Sequence, residues 1–494
     1  MHFSSSLTSV ATLFRQHAAK PGLMALALLG ASAAGASGLL LPDEALREDL
    51  QWLSNRQVIQ VNLSTWPLSQ EEITRVLAAA KPQSQLDRDT MARVQKQVQE
   101  LKSAVRAEAA TSTDYPRMPQ GFGQTETDQH RLSLIGQYNQ HPDLDVRLQL
   151  NGVDGDGAGR SSKATAAGSY AAGKLGNQWI AFGQIPQWWG PGHEGSLIRG
   201  TSARPVTGFL MQRAEQTPFE TPWLSWAGPW QYQITAGQLA QYGAVPDAKL
   251  LGMRLSVAPT EYLELGASRA IQWGGQGRPQ SMKSLGKALL GKGDNEESSD
   301  KSNEPGNQLA GFDARLKLQP LIGEPISIYG QIVGEDEAGY LPSKNTYLLG
   351  IDGSYAWGQN NVNWYVEGAD TTTELDRDTN ITYRHHLYKD GFYQQGYPLA
   401  YSYGGDAQTI TSKLTVSTPD RQRYSGKLIY AKVNPHSQAI NQAYPNKDTL
   451  RGFEAGWGKT FNNGLQLQAT AWVLDSERDN TDVGAGLKVA MPLR

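Results

Sequence analysis

The chain contains no cysteine, which excludes disulfides, thiolate metal sites and a lipid anchor on an N-terminal cysteine, and is compatible with passage through an oxidising compartment. Charge is scarce as well. Only 19% of residues are Asp, Glu, Lys or Arg, below the usual ~25%. The 45 basic residues face 48 acidic ones for a formal charge of −3, with no long basic run to neutralise phosphates, so nucleic acid is not an expected partner. Beyond the N-terminus no apolar stretch approaches the about 20 residues that a helix needs to cross ~30 Å of hydrocarbon. A membrane location must therefore come from strands. Glycine is abundant, with 52 in 494 residues against a usual ~7%, which suits many short strands and turns.

Arg15 and Lys20 precede the apolar run Leu23 to Leu29 and then small residues from Ala31 to Ser37. This is the layout of an export signal, expected over residues 1–36 with cleavage near Ala33 or Ala36. The apolar run is too short for a membrane anchor. From Asp43 the apolar period is helical. Leu46, Leu50 and Leu53 form one set, Ile73, Val76 and Leu77 a second behind a capping box of Ser69 and Glu72, and Met91, Val94, Val98, Leu101 and Val105 a third. A small helical segment is expected over 43–110, its helices packing on one another and on a barrel rim.

Beyond about Tyr115 the period becomes two. Leu144, Val146, Leu148 and Leu150 alternate with Asp145, Arg147 and Gln149, and the same alternation recurs at Leu251 to Val257, Phe312 to Leu318 and Leu465 to Val473. Soluble sandwiches alternate too, but here the connections sort by length. Short links at Pro259-Thr260, Gly358 to Asn361 and Asn462-Asn463 interleave with long polar segments such as Gln272 to Leu309 and Asn434 to Leu450, the pattern of outer-membrane barrels. Trp230, Tyr232, Tyr347, Tyr355, Trp364 and Trp457 lie near candidate strand ends, where interfacial girdles sit. Seventeen candidate strands can be counted. An even number is required when both chain ends are periplasmic, so one more is expected, at Pro119 to Thr127. The expected fold is all-β: a transmembrane antiparallel β-barrel of 18 strands over 115–494, preceded by a small periplasmic α-helical segment. A bore of that size holds water unless loops fill it.

Several segments resemble the Wzi-type capsule-assembly family of outer-membrane proteins: GQIPQWWGPGHEGSL from Gly183, SARPVTGF from Ser202, LSWAGPW from Leu224, GEDEAGYLPSK from Gly334 and YRHHLYKDGFYQQGYPLAYSYGGD from Tyr383. The resemblance implies an 18-stranded barrel with a periplasmic helical bundle, and a lectin-like function that holds capsular polysaccharide at the cell surface. One departure is the end of the chain, Val489-Ala-Met-Pro-Leu-Arg494, which lacks the terminal aromatic usual in such strands, although Val483, Ala485, Leu487 and Val489 still alternate.

Two segments carry the candidate chemistry. Trp188, Trp189, His193, Glu194, Arg199 and Arg204 cluster in the first; His385, His386, Tyr388, Tyr393, Tyr397 and Asp406 in the second. Indole and phenol faces stack on sugar rings, while Arg, His and acidic groups bond hydroxyls or pair with uronates. The competing reading is that both segments fold into the lumen and fill it. Adjacent His385 and His386 lack the spacing of a helical metal site. Asp154 to Gly159 resembles a calcium loop only in part, with Thr165 where a glutamate is required. The acidic triplet Glu335-Asp336-Glu337 suits a solvated loop or divalent ions at lipopolysaccharide. No G-x-S-x-G or comparable nucleophile motif supports an enzyme, and no cofactor is expected. The leading expectation is a monomeric, non-enzymatic barrel that binds capsular or related exopolysaccharide amid outer-membrane lipid and lipopolysaccharide. A diffusion porin is the alternative, and a membrane-embedded hydrolase a third.

Overall fold

The computed structural model describes residues 37–102, 105–114, 118–124, 128–154, 164–289, 306–338, 341–376, 381–437 and 441–493. The expected export signal and most of the calcium-like loop lie outside the described residues. Eighteen strands form the wall: β1 (Val105–Ser112), β2 (His130–His141), β3 (Leu144–Val153), β4 (Tyr170–Leu175), β5 (Gln178–Gln184), β6 (Thr207–Arg213), β7 (Trp230–Gln238), β8 (Lys249–Val257), β9 (Leu263–Trp273), β10 (Gly306–Lys317), β11 (Ile326–Ala338), β12 (Leu341–Trp357), β13 (Asn360–Asp370), β14 (Ala407–Ser417), β15 (Gln422–Val433), β16 (Asp448–Thr460), β17 (Gln466–Ser476) and β18 (Asp482–Pro492). A two-residue piece, Ala164–Thr165, extends the pairing on β3. Every neighbour is antiparallel, and β18 closes on β1 with Pro492 opposite Arg106 and Gly486 opposite Ser112.

The count of eighteen is as expected, but the additional strand is not at Pro119 to Thr127, where residues 119–124 are coil and turn. It is β1. Val105 continues the helical spacing of Val94, Val98 and Leu101 only in sequence: the third helix stops at Leu101, and from Val105 the chain pairs with β2 and β18. Ala107 and Ala109 alternate there with the charged pair Arg106 and Glu108, a pattern too weakly apolar to announce a strand.

Alternation places lipid-facing side chains outside. Leu148, Leu150, Phe209, Leu349 and Leu428 are 54%, 66%, 60%, 67% and 58% exposed, an apolar belt that only a bilayer covers without penalty. Their neighbours face a polar lumen. Arg254, for instance, is 2% exposed, its guanidinium 2.7 and 3.0 Å from the two oxygens of Asp313 on β10. Links 142–143, 176–177, 258–262, 318–325, 358–359, 418–421 and 461–465 share one rim, whereas 185–206, 274–305, 371–406 and 434–447 leave from the other.

The helical segment enters the short-link end and plugs it. Helices α1 (Glu44–Asn55), α2 (Gln70–Ala78) and α3 (Gln85–Leu101) are capped by Asp43, Ser69 and Ser84, each accepting an N–H at the helix start. The reciprocal half of the box expected at Ser69 is absent, because the Glu72 carboxylate takes Arg75 and the Gln216 N–H instead; the full box is at Ser84 and Asp87. Leu46, Leu50, Trp52, Leu53, Ile73, Val76, Val94 and Val98 form the plug core. Its rim is polar and bonds to the wall on many sides: Arg254 to Thr65, Lys413 to Glu44, Arg423 to Glu48, and Lys174 to Glu71. The helices thus do more than sit on a rim.

Two substitutions on adjacent residues of β15 test this register. Leu428→Arg sets a charge on the lipid side near mid-strand and should destabilise the barrel by about 2–4 kcal/mol. Lys427→Met removes the buried partner of Glu194, 3.3 Å away, and should cost about 3–5 kcal/mol because an unpaired charge remains inside. Urea unfolding in lipid vesicles measures both; a neutral Leu428→Arg would reverse the assigned faces.

Candidate functional site

The segment 185–206 leaves the long-loop rim and turns down into the lumen until it touches the plug. Trp188 and Trp189 pair as a short antiparallel ladder with Thr65 and Trp66. Trp66, Phe122 and Trp188 then meet edge to face, with centroids 5.1 Å apart at both contacts. The guanidinium of Arg47 lies 4.2 Å from the Phe122 ring centre and donates to the carbonyls of Pro191 and Gly192 at 2.9 and 2.7 Å. Trp189 donates its indole N–H to Gln233 on β7 at 2.6 Å.

Two wall carboxylates hold the bend that follows. Glu367 on β13 accepts the backbone N–H groups of His193, Glu194 and Gly195 at 2.6, 3.0 and 2.9 Å, and the Tyr329 hydroxyl at 2.9 Å. Asp352 on β12 receives both arms of Arg315 at 2.7 Å, Gln51 at 2.7 Å and Asn55 at 3.0 Å from α1, and lies 3.1 Å from Nε2 of His193. The His193 ring stacks on Tyr365 at 4.5 Å, and Tyr365 donates to Glu194 at 3.1 Å. Plug, wall and loop therefore converge on one buried carboxylate.

The second segment closes the long-loop mouth. Tyr388 donates to the carbonyl of Gly274 at 3.0 Å, Tyr383 to that of Leu197 at 2.8 Å, and Tyr393 accepts from Gly405 N–H at 3.2 Å. The Tyr401 ring lies so close to Gly195 that a Cβ there would collide with it, so the glycine is needed for the two loops to pack. The bore expected to hold water if unfilled is largely filled by the plug and these two loops.

The twelve predicted contact residues separate on burial. Trp188, Trp189, Glu194, Arg199, Arg204, Tyr388, Tyr393 and Asp406 are all 7% exposed or less, so their side chains lie within the protein. Arg199 donates to Gln187 at 3.1 Å, and the Arg204 carbonyl accepts from Gln394. His193 is half-buried in the Asp352 cluster. His386 is exposed, and His385 and Tyr397 are half-buried, at the long-loop rim. Among the described residues no group of three or more His, Asp or Glu is arranged to hold a metal ion. Sequence patterns did not single out Asp352, Glu367, Arg315 or Lys427, although a charge on the inward face of an alternating strand is the available signal for a lumen tie.

Asp406 is instead a latch between rim loops. Its carboxylate lies 2.7 Å from Nδ1 of His436, whose Nε2 lies 2.8 Å from Glu374. The hydrogen bond to Asp406, assisted by the charge of both carboxylates, raises the His436 pKa above its ordinary 6.5 despite partial burial.

The sequence model of the family described as capsule assembly protein Wzi matches residues 98–489. An uncharacterised 55.8 kDa protein of the cps region of Klebsiella pneumoniae is 51% identical over 469 residues, covering 94% of this chain and 92% of that protein. The solved structure of Wzi, an outer-membrane protein involved in group 1 capsule assembly in Escherichia coli and a carbohydrate-binding β-barrel, superposes with a TM-score of 0.86 at 48% identity. That match covers 92% of this chain and 99% of the other.

Because the folded-state pKa of His436 is raised, its contribution to rim order is complete below about pH 6.5, the unfolded value, and is lost as pH rises through the folded value. Hydrogen exchange of the 434–437 amides should quicken over that rise in the native protein and be fast and pH-independent, after correction for intrinsic exchange, in His436→Ala. A native profile without this rise would remove the latch.

Proposed function

Since the chain belongs to the Wzi family of capsule assembly proteins, we propose that it is a non-enzymatic lectin of the outer membrane that binds capsular or related exopolysaccharide and retains it at the cell surface. The observation that carries the reading is a lumen closed by the plug and two inward-folded loops, which leaves the long-loop rim as the surface a polymer meets. With the helical segment on the periplasmic side, that rim faces outward. Buried residues of the second segment, Tyr388 and Tyr393 foremost, hold the loops that form this rim. His386, exposed, and the half-buried His385 and Tyr397 bring aromatic rings to it, the type of surface on which sugar faces stack. The barrel acts as a monomer in contact with lipid and lipopolysaccharide through its apolar belt. A diffusion porin fits less well, because Trp189, Arg254 and the Asp352 cluster occupy the space a pore requires.

One aromatic contact beyond area burial contributes about 0.5–1.5 kcal/mol, so loss of a single ring should weaken binding only ~2- to 12-fold. A polymer engages many copies on a cell, and such losses multiply. His386→Ala combined with Tyr397→Ala should therefore shift polysaccharide from the cell pellet to the medium, assayed as uronic acid or total hexose, while heat-modifiable barrel mobility is kept. Polymer that stays with the cells in this double variant and also in a deletion of the gene would refute the retention function.

A further inference from the structure

The filling of the lumen stops short of one sector of the wall. Between the plug and strands β16, β17, β18, β1, β2 and β3 lies a cavity of about 570 Å³, within the ~300–1,000 Å³ of small-molecule sites. Its wall includes the inward face of those strands, with Gln468, Lys488, Arg106, Arg147, Gln149 and Asn151 among the lining residues. Gln468 is exposed and the Lys488 side chain is 45% exposed, although the alternating partners Leu487 and Val473 are the ones that face lipid. On the filled side, inward residues such as Gln233, Arg254 and Asp352 are 0%, 2% and 1% exposed.

The polar groups here are held in place. Arg147 donates to Gln149 at 2.9 Å, and Gln149 to Asn151 at 2.8 Å. Arg147 is the unusual member: its guanidinium bonds two amides, those of Gln149 and, at 3.4 Å, Gln137, and no carboxylate, and its Nε is buried without a hydrogen-bond partner. Two more unpartnered buried oxygens, Oε1 of Gln120 and Oγ1 of Thr201, line the same cavity. A guanidinium fork matches a carboxylate in geometry and charge. Lys488 reaches Glu108 at 3.4 Å, which it shares with Arg106 at 3.0 Å, so positive charge exceeds negative on this stretch. Fixed amides and hydroxyls beside it suit the alternating donors and acceptors of sugar hydroxyls.

We propose that this cavity is an internal site for a short acidic oligosaccharide, its carboxylate taken by Arg147 and Lys488 and its hydroxyls by the row of Gln149 and Asn151. The inference rests on the polysaccharide reading for its ligand class but concerns a place separate from the rim. The absence of cysteine allows a direct test on the full-length barrel in detergent. A Gln468→Cys thiol should react with a small thiosulfonate. Trigalacturonate at about four times its Kd should slow that reaction about fivefold, since only about one site in five is then empty. Maltotriose at the same concentration should leave the rate unchanged, as should trigalacturonate for a Gln442→Cys thiol on the exposed rim. Adding Arg147→Gln should abolish the protection without altering heat-modifiable mobility. An unreactive Gln468→Cys, equal rates with and without trigalacturonate, equal protection by maltotriose, or protection that survives Arg147→Gln would each overturn the proposal. Because thiol protection is read without cells or polymer retention, its failure leaves the rim function standing, and loss of the rim function leaves this result to be read on its own.

Discussion

The architecture turns on the buried carboxylate of Asp352. A carboxylate inside a barrel wall is stable only when its lone pairs are taken by good donors, and here they come from three separate parts of the chain. Arg315 supplies a two-armed bond from the neighbouring wall, Gln51 and Asn55 reach in from α1, and His193 arrives from the loop that dips from the opposite rim. The helical plug and the inward loop are thus fixed to the same strand, and through it to each other.

Much else follows from that junction. An 18-stranded wall encloses more space than its inward side chains fill, so an unfilled barrel of this size is a channel. With the plug and loop locked at Asp352, the aromatic triad Trp66, Phe122 and Trp188 becomes a dry core at the centre of the bore, and Glu367 gathers the next three backbone N–H groups against the wall. The second loop then packs over the first, Tyr401 against Gly195. What remains open is the lateral cavity beside β16 to β3 and the surface of the long-loop rim. Binding has to be sought at those two places rather than at the tryptophans themselves.

The wall was legible in the sequence because lipid and lumen impose a period of two on its strands, and because the three longest links, 185–206, 274–305 and 371–406, all leave from one side, although the 16-residue link 214–229 lies on the other. β1 escaped for a physical reason: alanines suffice against its neighbours, so its outward face carries little hydrophobic signal, and the four-residue step from Leu101 to Val105 reads as helix. The last strand was readable without a terminal aromatic from the alternation of Val483 to Val489, and the structure pairs it with β17 and β1. The two unusual loops could be picked out by composition, but the direction of their side chains could not. Trp188 suits a sugar face and a protein core equally well, and only the positions of Phe122 and Trp66, far away in sequence, decide between them. His436 escaped because its partners, Asp406 and Glu374, lie 30 and more residues away on another loop.

The most direct test of the closed lumen is electrical. Reconstituted in planar bilayers, the native barrel is expected to show no stable steps of water-filled size, and Asp352→Ala, which frees α1 and the His193 bend from their common anchor, is expected to open in frequent large steps while keeping its folded mobility. Stable open channels in the native protein, or an Asp352→Ala barrel as silent as the native one, would contradict the account.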